Sequence, residues 1–257
     1  MCRLLGVVAA TAAPIDSLVP DELSKLEALA ELHPHGWGIA SVTGRGELDV
    51  RRAPERAATS ERWTDALRQA PTDAALLHIR QASPGMPHIH ANTHPFLADG
   101  MAFAHNGHAH PVATLDTLVK VAGGPSSLGD TDSERYFALV RAVAARTATD
   151  LALLDAASRI TAEATATSLN ALVLTERSLV AVAWWDEPVI RSAGDGESDR
   201  DYRLWYRVGP DRVVVASAFV AGTGPEWQEL PHGHALSVDR STLAVRIVTA
   251  AELRPAA

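Results

Sequence analysis

The run Leu4-Leu5-Gly6-Val7-Val8-Ala9 constrains this chain most, because it places an apolar strand directly behind the first few residues. It reads as a strand over Arg3–Ala9. At its head stands Cys2, the sole cysteine in 257 residues. A lone cysteine is ordinarily a small buried hydrophobe without chemistry. Here the loss of one residue, Met1, would make it the N-terminal residue. It would then hold a thiol nucleophile and a free α-amine of reference pKa about 7.7–8.0. Such an amine can act as base for its own side chain. Arg3 next to it favours thiolate.

The same stretch has the outline of a short signal peptide. Its basic region is a single Arg and its apolar run is short and Ala-rich, so it is read as a strand instead. No run approaches the roughly 18 apolar residues of a transmembrane helix. One cysteine cannot make an internal disulfide, and a reducing, cytoplasmic setting is the default expectation. Hydrophobic residues make up 47 % and the net charge is −8, which suits a globular protein and argues against a charge-driven nucleic-acid or anionic-membrane role.

Further along, Pro20-Asp21-Glu22 opens a helix with Leu23, Leu26 and Leu29 at helical spacing. Trp37–Val42 and Glu47–Arg52 read as a hairpin around Thr43-Gly44-Arg45-Gly46. Ser60 caps a helix bearing Trp63 and Leu67. Ala74–Arg80 reads as a buried strand, 83–95 as a loop, and Met101–His105 as a short strand stopping at Asn106-Gly107. Thr131-Asp132-Ser133-Glu134 is a capping box before a helix with Tyr136, Leu139, Val140 and Val143 on one face. A second helix runs over Asp150–Ala164. Strands are expected at Asn170–Leu174, Leu179–Trp184, Tyr202–Val208, Val213–Ser217, Ala235–Val238 and Ala244–Val248, with a polar loop over 191–201. Strands at both ends and helices between them imply one layered α+β domain, residues 1–257.

Five stretches besides Cys2 bear on chemistry. Gly36-Trp37-Gly38 is a tight strand entry. Arg80 ends an apolar strand, where a guanidinium needs a partner; that partner is either an internal carboxylate or a bound one held by both oxygens. Asn92-Thr93-His94-Pro95-Phe96 is a turn ending in a fixed proline. Asn106-Gly107 is either a type I′ turn or an oxyanion hole, in which a side-chain amide and a backbone N–H converge. In Gly129-Asp130-Thr131-Asp132-Ser133-Glu134, capping accounts for Thr131 and Glu134 and leaves Asp130 available for an ammonium group. Six of the eleven histidines lie between residues 88 and 110. They show neither a nearby cysteine nor a helical H-x-x-x-H pattern, so loop and turn histidines are expected rather than a metal site.

The stretches occur in one order: MCRLLG, HGWGIA, HIRQAS, NTHPF with FAHNGH, then GDTDSE. This ordered set, strict over residues 2–135, resembles the class II glutamine amidotransferases, a family of N-terminal nucleophile hydrolases, and most of all their stand-alone bacterial members. The resemblance implies a four-layer αββα sandwich with two mainly antiparallel sheets. It implies Cys2 as nucleophile with its α-amine as base, and Asn106 and Gly107 as oxyanion donors. Arg80 would bind the α-carboxylate of glutamine, Asp130 its α-ammonium, and Ser83 would help hold the carboxylate end. Trp37 would stand near the site in the region that walls it. Glutamate and ammonia would form through a γ-glutamyl thioester, with no metal or organic cofactor, and any ammonia acceptor would lie on a partner.

Two departures bear on substrate. His35 stands where many relatives have aspartate, and Gln81-Ala82-Ser83-Pro84 replaces residues that synthase-fused members carry. An alternative substrate is therefore a γ-glutamyl amide of a larger thiol metabolite, as in ergothioneine biosynthesis. A catalytically idle glutamine-binding regulatory subunit is the other alternative.

Overall fold

The opening apolar run forms β1 (Arg3–Ala13), and Arg3 to Ala9 are buried on both faces. A strand covered on both sides reads as a continuous apolar run instead of an alternating one. The computed structural model describes residues 2–68, 70–83, 85–127, 129–193 and 198–253; Met1, Pro84 and residues 194–197 of the expected 191–201 loop lie outside them. The remaining strands are β2 (Trp37–Val42), β3 (Leu48–Ala53), β4 (Thr72–Ile79), β5 (Phe96–Ala98), β6 (Met101–His110), β7 (Thr165–Thr175), β8 (Ser178–Ala183), β9 (Leu204–Val208), β10 (Arg212–Ser217), β11 (Gln228–Glu229), β12 (His234–Asp239) and β13 (Val245–Thr249). They form a seven-stranded sheet in the order β11-β9-β10-β1-β4-β2-β3 and a six-stranded sheet in the order β13-β12-β8-β7-β6-β5. The strand pairings are antiparallel. β1 sits in the middle of its sheet, which explains its composition.

Helices α1 (Ile15–Leu18), α2 (Pro20–Ala30) and α3 (Glu61–Arg68) cover the outer face of the first sheet, where Leu5, Val7, Ile39 and Leu77 meet Leu23, Leu26 and Trp63. Helices α4 (Val112–Val121), α5 (Asp132–Ala144) and α6 (Thr149–Glu163) cover the second sheet, packing Leu115, Tyr136 and Leu153 on Phe103, Val173 and Val180. Between the sheets lie Leu4, Val8, Leu76, Leu172, Leu174 and Leu236. Each such Leu or Val contributes about 1.5–3 kcal/mol by leaving water. The layers are therefore αββα, the architecture that the resemblance implies.

Local signals place most boundaries. Pro20 starts α2 at a position where a helix has no use for the missing N–H. Ser60 Oγ accepts from the Trp63 N–H at 3.2 Å, capping α3. Thr131 Oγ1 accepts from the Glu134 N–H at 3.2 Å, but Glu134 does not complete the box. Its carboxylate takes the Gly129 N–H at 2.6 Å and ties down the preceding loop.

Two expectations need correction, and one helix was not expected. The strand expected to stop at Asn106-Gly107 runs on to His110, paired with β7 as far as Thr165. Pairing with a long neighbour overrides the local turn preference of Asn-Gly. Residues 187–193 form a helix, α7 (Glu187–Ala193), where the stretch from 191 was expected to be loop. Helix α4 has no counterpart in the sequence reading at all.

Candidate active site

Strand alternation decides which side chains enter the space between the sheets. On β1, Leu4 and Val8 face inward, and Cys2 shares their parity. On β4, Ala74 and Leu76 face inward, followed by His78 and then Arg80 beyond the strand end. On β6, Ala102 and Ala104 face inward, followed by Asn106. At this end of the sandwich the apolar filling gives way to polar groups: Cys2, His78, Arg80, Asn106, Asn170 and Ser217.

Buried polar groups cost free energy unless hydrogen-bonded, and most of these are bonded. Ser217 Oγ accepts from the Leu4 N–H at 2.9 Å. Asn170 donates to the Tyr202 carbonyl and accepts from the Trp184 N–H at 2.7 Å. The His78 Nε2 lies 3.3 Å from His94 Nδ1. Asn106 is the exception. It is 1 % exposed, and neither its Nδ2 nor its Oδ1 has a partner among the described residues. A full amide is thus aimed into the same layer as Cys2 and Arg80.

Cys2 is held from β4. In the β1–β4 register Arg3 faces Ile79 and Leu4 faces His78, which brings Cys2 opposite the residues that follow the strand. The Gln81 N–H donates to Cys2 Sγ at 3.3 Å, and the thiol reaches the Gln81 carbonyl at 3.5 Å. Burial pushes the thiol above its ordinary pKa, against the chain's amino terminus, the Gln81 bond, Arg80 and Arg3, all of which pull it down. The expectation that Arg3 makes a thiolate is therefore corrected: desolvation outweighs the nearby cations, and the nucleophile needs a base. Arg3 instead donates to the Cys2 carbonyl at 3.0 Å and lies over the Phe219 ring.

Arg80 is 4 % exposed. Burial lowers its pKa, and the facing Cys2 raises it. Its guanidinium donates to the Pro87 carbonyl at 3.3 Å and forms no ion pair with a carboxylate among the described residues. The internal Arg–Asp pair is therefore not what holds it. Gly107 has φ +149°, and a Cβ there would sit 1.9 Å from the Ser168 carbonyl oxygen, so only glycine lets β6 approach β7 at this point. Asp130 is exposed, and Ser83 is exposed on the segment after Arg80.

Trp37 is placed differently from the expectation. It is 2 % exposed and its indole packs edge-on against Trp63, centroids 5.6 Å apart, under the helices. Its parity is that of Ile39, facing outward, so it meets the site only through its backbone. The glycine beside it does face inward: a Cβ on Gly38 would lie 2.0 Å from the His94 carbonyl oxygen.

Sequence reasoning missed several residues that shape the site. His105 lies under Gly107, bonding Ser133 Oγ at 2.9 Å and the Ser168 carbonyl at 3.1 Å. Asp132, treated only as part of a cap, is buried and accepts the Ala109 N–H at 2.8 Å, which fastens the end of β6 to α5. His35 Nδ1 accepts the Ala82 N–H at 3.0 Å. The unusual identity of residue 35 was the available signal for the last; Asp132 was masked by the capping role of its motif, and His105 by the Asn-Gly pair that follows it. The clustered histidines disperse: His94 and His105 are buried, His88 stacks on His35, and His108 stacks on His110. Among the described residues no three His, Cys, Asp or Glu converge as they would around a metal ion. A cleft of about 930 Å³ lies at the opposite end of the sandwich, among Arg45, Asp99, Arg141 and Arg177. No helix among the described residues is long and apolar enough to cross a membrane.

The fold is similar to that of several solved structures. A glutamine aminotransferase class-II domain protein from Silicibacter pomeroyi is 19 % identical, with TM-score 0.66, over 96 % of this chain and 99 % of its own. Glutamine phosphoribosylpyrophosphate amidotransferase from B. subtilis is 18 % identical, with TM-score 0.65, over 97 % of this chain and 49 % of its own, so this chain spans about half its length. A predicted glutamine amidotransferase from Pseudomonas aeruginosa is 20 % identical, with TM-score 0.53, over 94 % and 99 %. No curated protein sequence matches the chain. A sequence model of the family described as glutamine amidotransferases class-II matches residues 1–249, and the chain belongs to that family of enzymes.

Proposed function

We propose that the chain hydrolyses the side-chain amide of glutamine with Cys2 as nucleophile, after Met1 is removed. The thiol sulfur attacks the amide carbon while the α-amine of Cys2 takes the thiol proton. The oxyanion is held by Asn106 Nδ2 and the Gly107 N–H. Collapse expels ammonia, which receives the proton from the amine, and leaves a γ-glutamyl thioester. Water, deprotonated by the same amine, attacks the thioester; glutamate leaves and the thiol is restored. Arg80 binds the α-carboxylate with help from Ser83, and Asp130 the α-ammonium, so a zwitterion meets one cation and one anion. The thiol raised by burial suits this scheme, since a neutral thiol gains most from an adjacent base. The ammonia is either released or passed to an acceptor on a partner.

The observation that carries this reading is the buried Asn106 amide, without a partner among the described residues, on the same inward layer as Cys2 and a buried Arg80 that no described carboxylate pairs. A second reading has one observation in its favour. Ser83, Gly85, Pro87, His88 and Ile89 are exposed, which leaves room beside Arg80 for the larger amine of a γ-glutamyl amide.

The test uses 6-diazo-5-oxo-norleucine, mass spectrometry of the mature N-terminus and ammonia release by wild type and Cys2→Ala. Labelling at Cys2 of a chain that lacks Met1, with release abolished in the variant, is expected. Labelling elsewhere, or full activity in Cys2→Ala, overturns the mechanism. Glutamine binding without glutamate formation identifies an idle binding subunit. A higher kcat/KM for γ-glutamyl amides of larger amines selects the second substrate.

A further inference from the structure

Residues 80–82 leave the sheet when β4 ends at Ile79, yet they hold the two groups closest to the chemistry. Gln81 presents its N–H to Cys2 Sγ, and Arg80 carries the guanidinium. Three bonds to residues 35 and 36 restrain this short piece of chain. The Arg80 N–H donates to the Gly36 carbonyl at 2.8 Å, and the His35 N–H donates to the Arg80 carbonyl at 3.2 Å. The third is the side-chain bond, Ala82 N–H to His35 Nδ1 at 3.0 Å. The two backbone bonds hold Arg80, and only the imidazole reaches past Gln81. Without it the peptide after Gln81 keeps only the Cys2 thiol, 3.5 Å from its carbonyl.

The bond sets the state of the ring. An imidazole nitrogen that accepts a hydrogen bond carries no proton, so His35 must be neutral with its hydrogen on Nε2. Its surroundings favour that state. The ring stacks on His88 with centroids 4.0 Å apart and planes 25° from parallel. Burial, the charge of His88 when protonated, Arg80 and the chain's amino terminus all lower its pKa from 6.5. Protonation would place a second N–H against the Ala82 N–H and a charge beside Arg80.

We propose that His35 is a positioning residue: its neutral imidazole clamps residues 80–82 and so aims the Gln81 N–H at the Cys2 sulfur and holds Arg80 in register, and acid releases the clamp. The part that concerns Arg80 rests on the function proposed above; the part that concerns the thiol does not.

Because Cys2 is the only cysteine, alkylation by iodoacetamide, followed by intact mass, reads that thiol alone and needs no substrate. The full processed chain is compared with His35→Phe, which keeps a stacking ring but no acceptor, and His35→Asn, which sets an amide oxygen where the imidazole has Nδ1 and does not titrate. The Phe variant should alkylate about fivefold more slowly at pH 7.5, the effect of one lost hydrogen bond to sulfur, with KM for glutamine raised more than kcat is lowered. The Asn variant should stay within about twofold of wild type at pH 8 and become progressively faster than wild type only at pH well below 6.5, since the His35 pKa is lowered from that value. A folded Phe variant with the wild-type rate and pH profile overturns the proposal, as does an Asn variant whose ratio to wild type stays constant with pH. If the Phe variant does not fold, the pH course of the Asn ratio decides alone. If no variant and no wild type releases ammonia while the alkylation differences persist, the clamp stands and the proposed hydrolysis falls.

Discussion

Adding one methyl group at Gly107 tests how rigidly the sheets set the candidate oxyanion donor. In the Gly107→Ala variant the new Cβ would lie 1.9 Å from the Ser168 carbonyl oxygen and 3.0 Å from His105 Nε2. Ordinary contact needs about 3.5 Å, so β7 would have to retreat by more than an ångström. It has little room, since it is paired on one side with β6 and on the other with β8, and His105 already binds that carbonyl. The overpacking costs about 1–3 kcal/mol. The backbone adds a second penalty: φ +149° is left-handed territory that alanine adopts at about 1–3 kcal/mol. The total is about 2–6 kcal/mol, against a typical stability of about 5–15 kcal/mol. Gly38→Ala is the control. Its Cβ would meet the His94 carbonyl at 2.0 Å, but without a positive φ, so only the first penalty applies. Urea unfolding at pH 7.5, followed by tryptophan fluorescence and circular dichroism, measures both. Gly107→Ala should lose more than Gly38→Ala by about 1–3 kcal/mol. A loss below about 1 kcal/mol at Gly107, or a larger loss at Gly38, refutes the reasoning.

Asn106→Ala should separate function from stability. Losing an oxyanion donor should lower kcat by about 10²–10³ with KM little changed. Since neither amide atom has a partner among the described residues, unfolding free energy should fall little; a large fall together with unaltered kcat would make the residue structural. Acid should destabilise the fold before the carboxylates titrate. Burial, with Arg80 and His105 nearby, pushes His78 down to about 3, and His94 lies well below its ordinary value for the same first reason. The folded state therefore refuses protons that the unfolded chain accepts below 6.5, and stability present above that pH drains away as pH falls. Between pH 7 and 5 the loss is about 2 kcal/mol for His78, and His94 adds to it in the same direction. Urea midpoints that stay flat over this range would contradict a buried, neutral pair.

Much of the architecture was legible because it depends on local rules. The unbroken apolar run of β1, the proline opening α2, the Ser60 and Thr131 caps and the hairpin at Thr43–Gly46 each follow from neighbours in sequence. The ordered motifs pointed to the right family because they are a linear record. Neither source could say which sheet would cover which face. Asn106-Gly107 has the signature of a turn and lies within a strand, because β7 offers it eleven residues of edge, Thr165–Thr175, and Asp132 captures the N–H beyond. Trp37 is expected near the site, yet its ring faces the helices, because alternation assigns it to the side of Ile39.

By itself the sequence determined most strands and the capped helices, the family and the residue types available for chemistry. Only the tertiary structure decided their electrostatics. Arg3 beside Cys2 predicts a thiolate by proximity, yet the sandwich removes water from the sulfur, and desolvation grows with burial that a list of residues does not contain. The role open to His35 has the same origin: an aromatic base ahead of Gly36-Trp37-Gly38 becomes a clamp only when β4 ends across from it and leaves the Ala82 N–H within 3.0 Å.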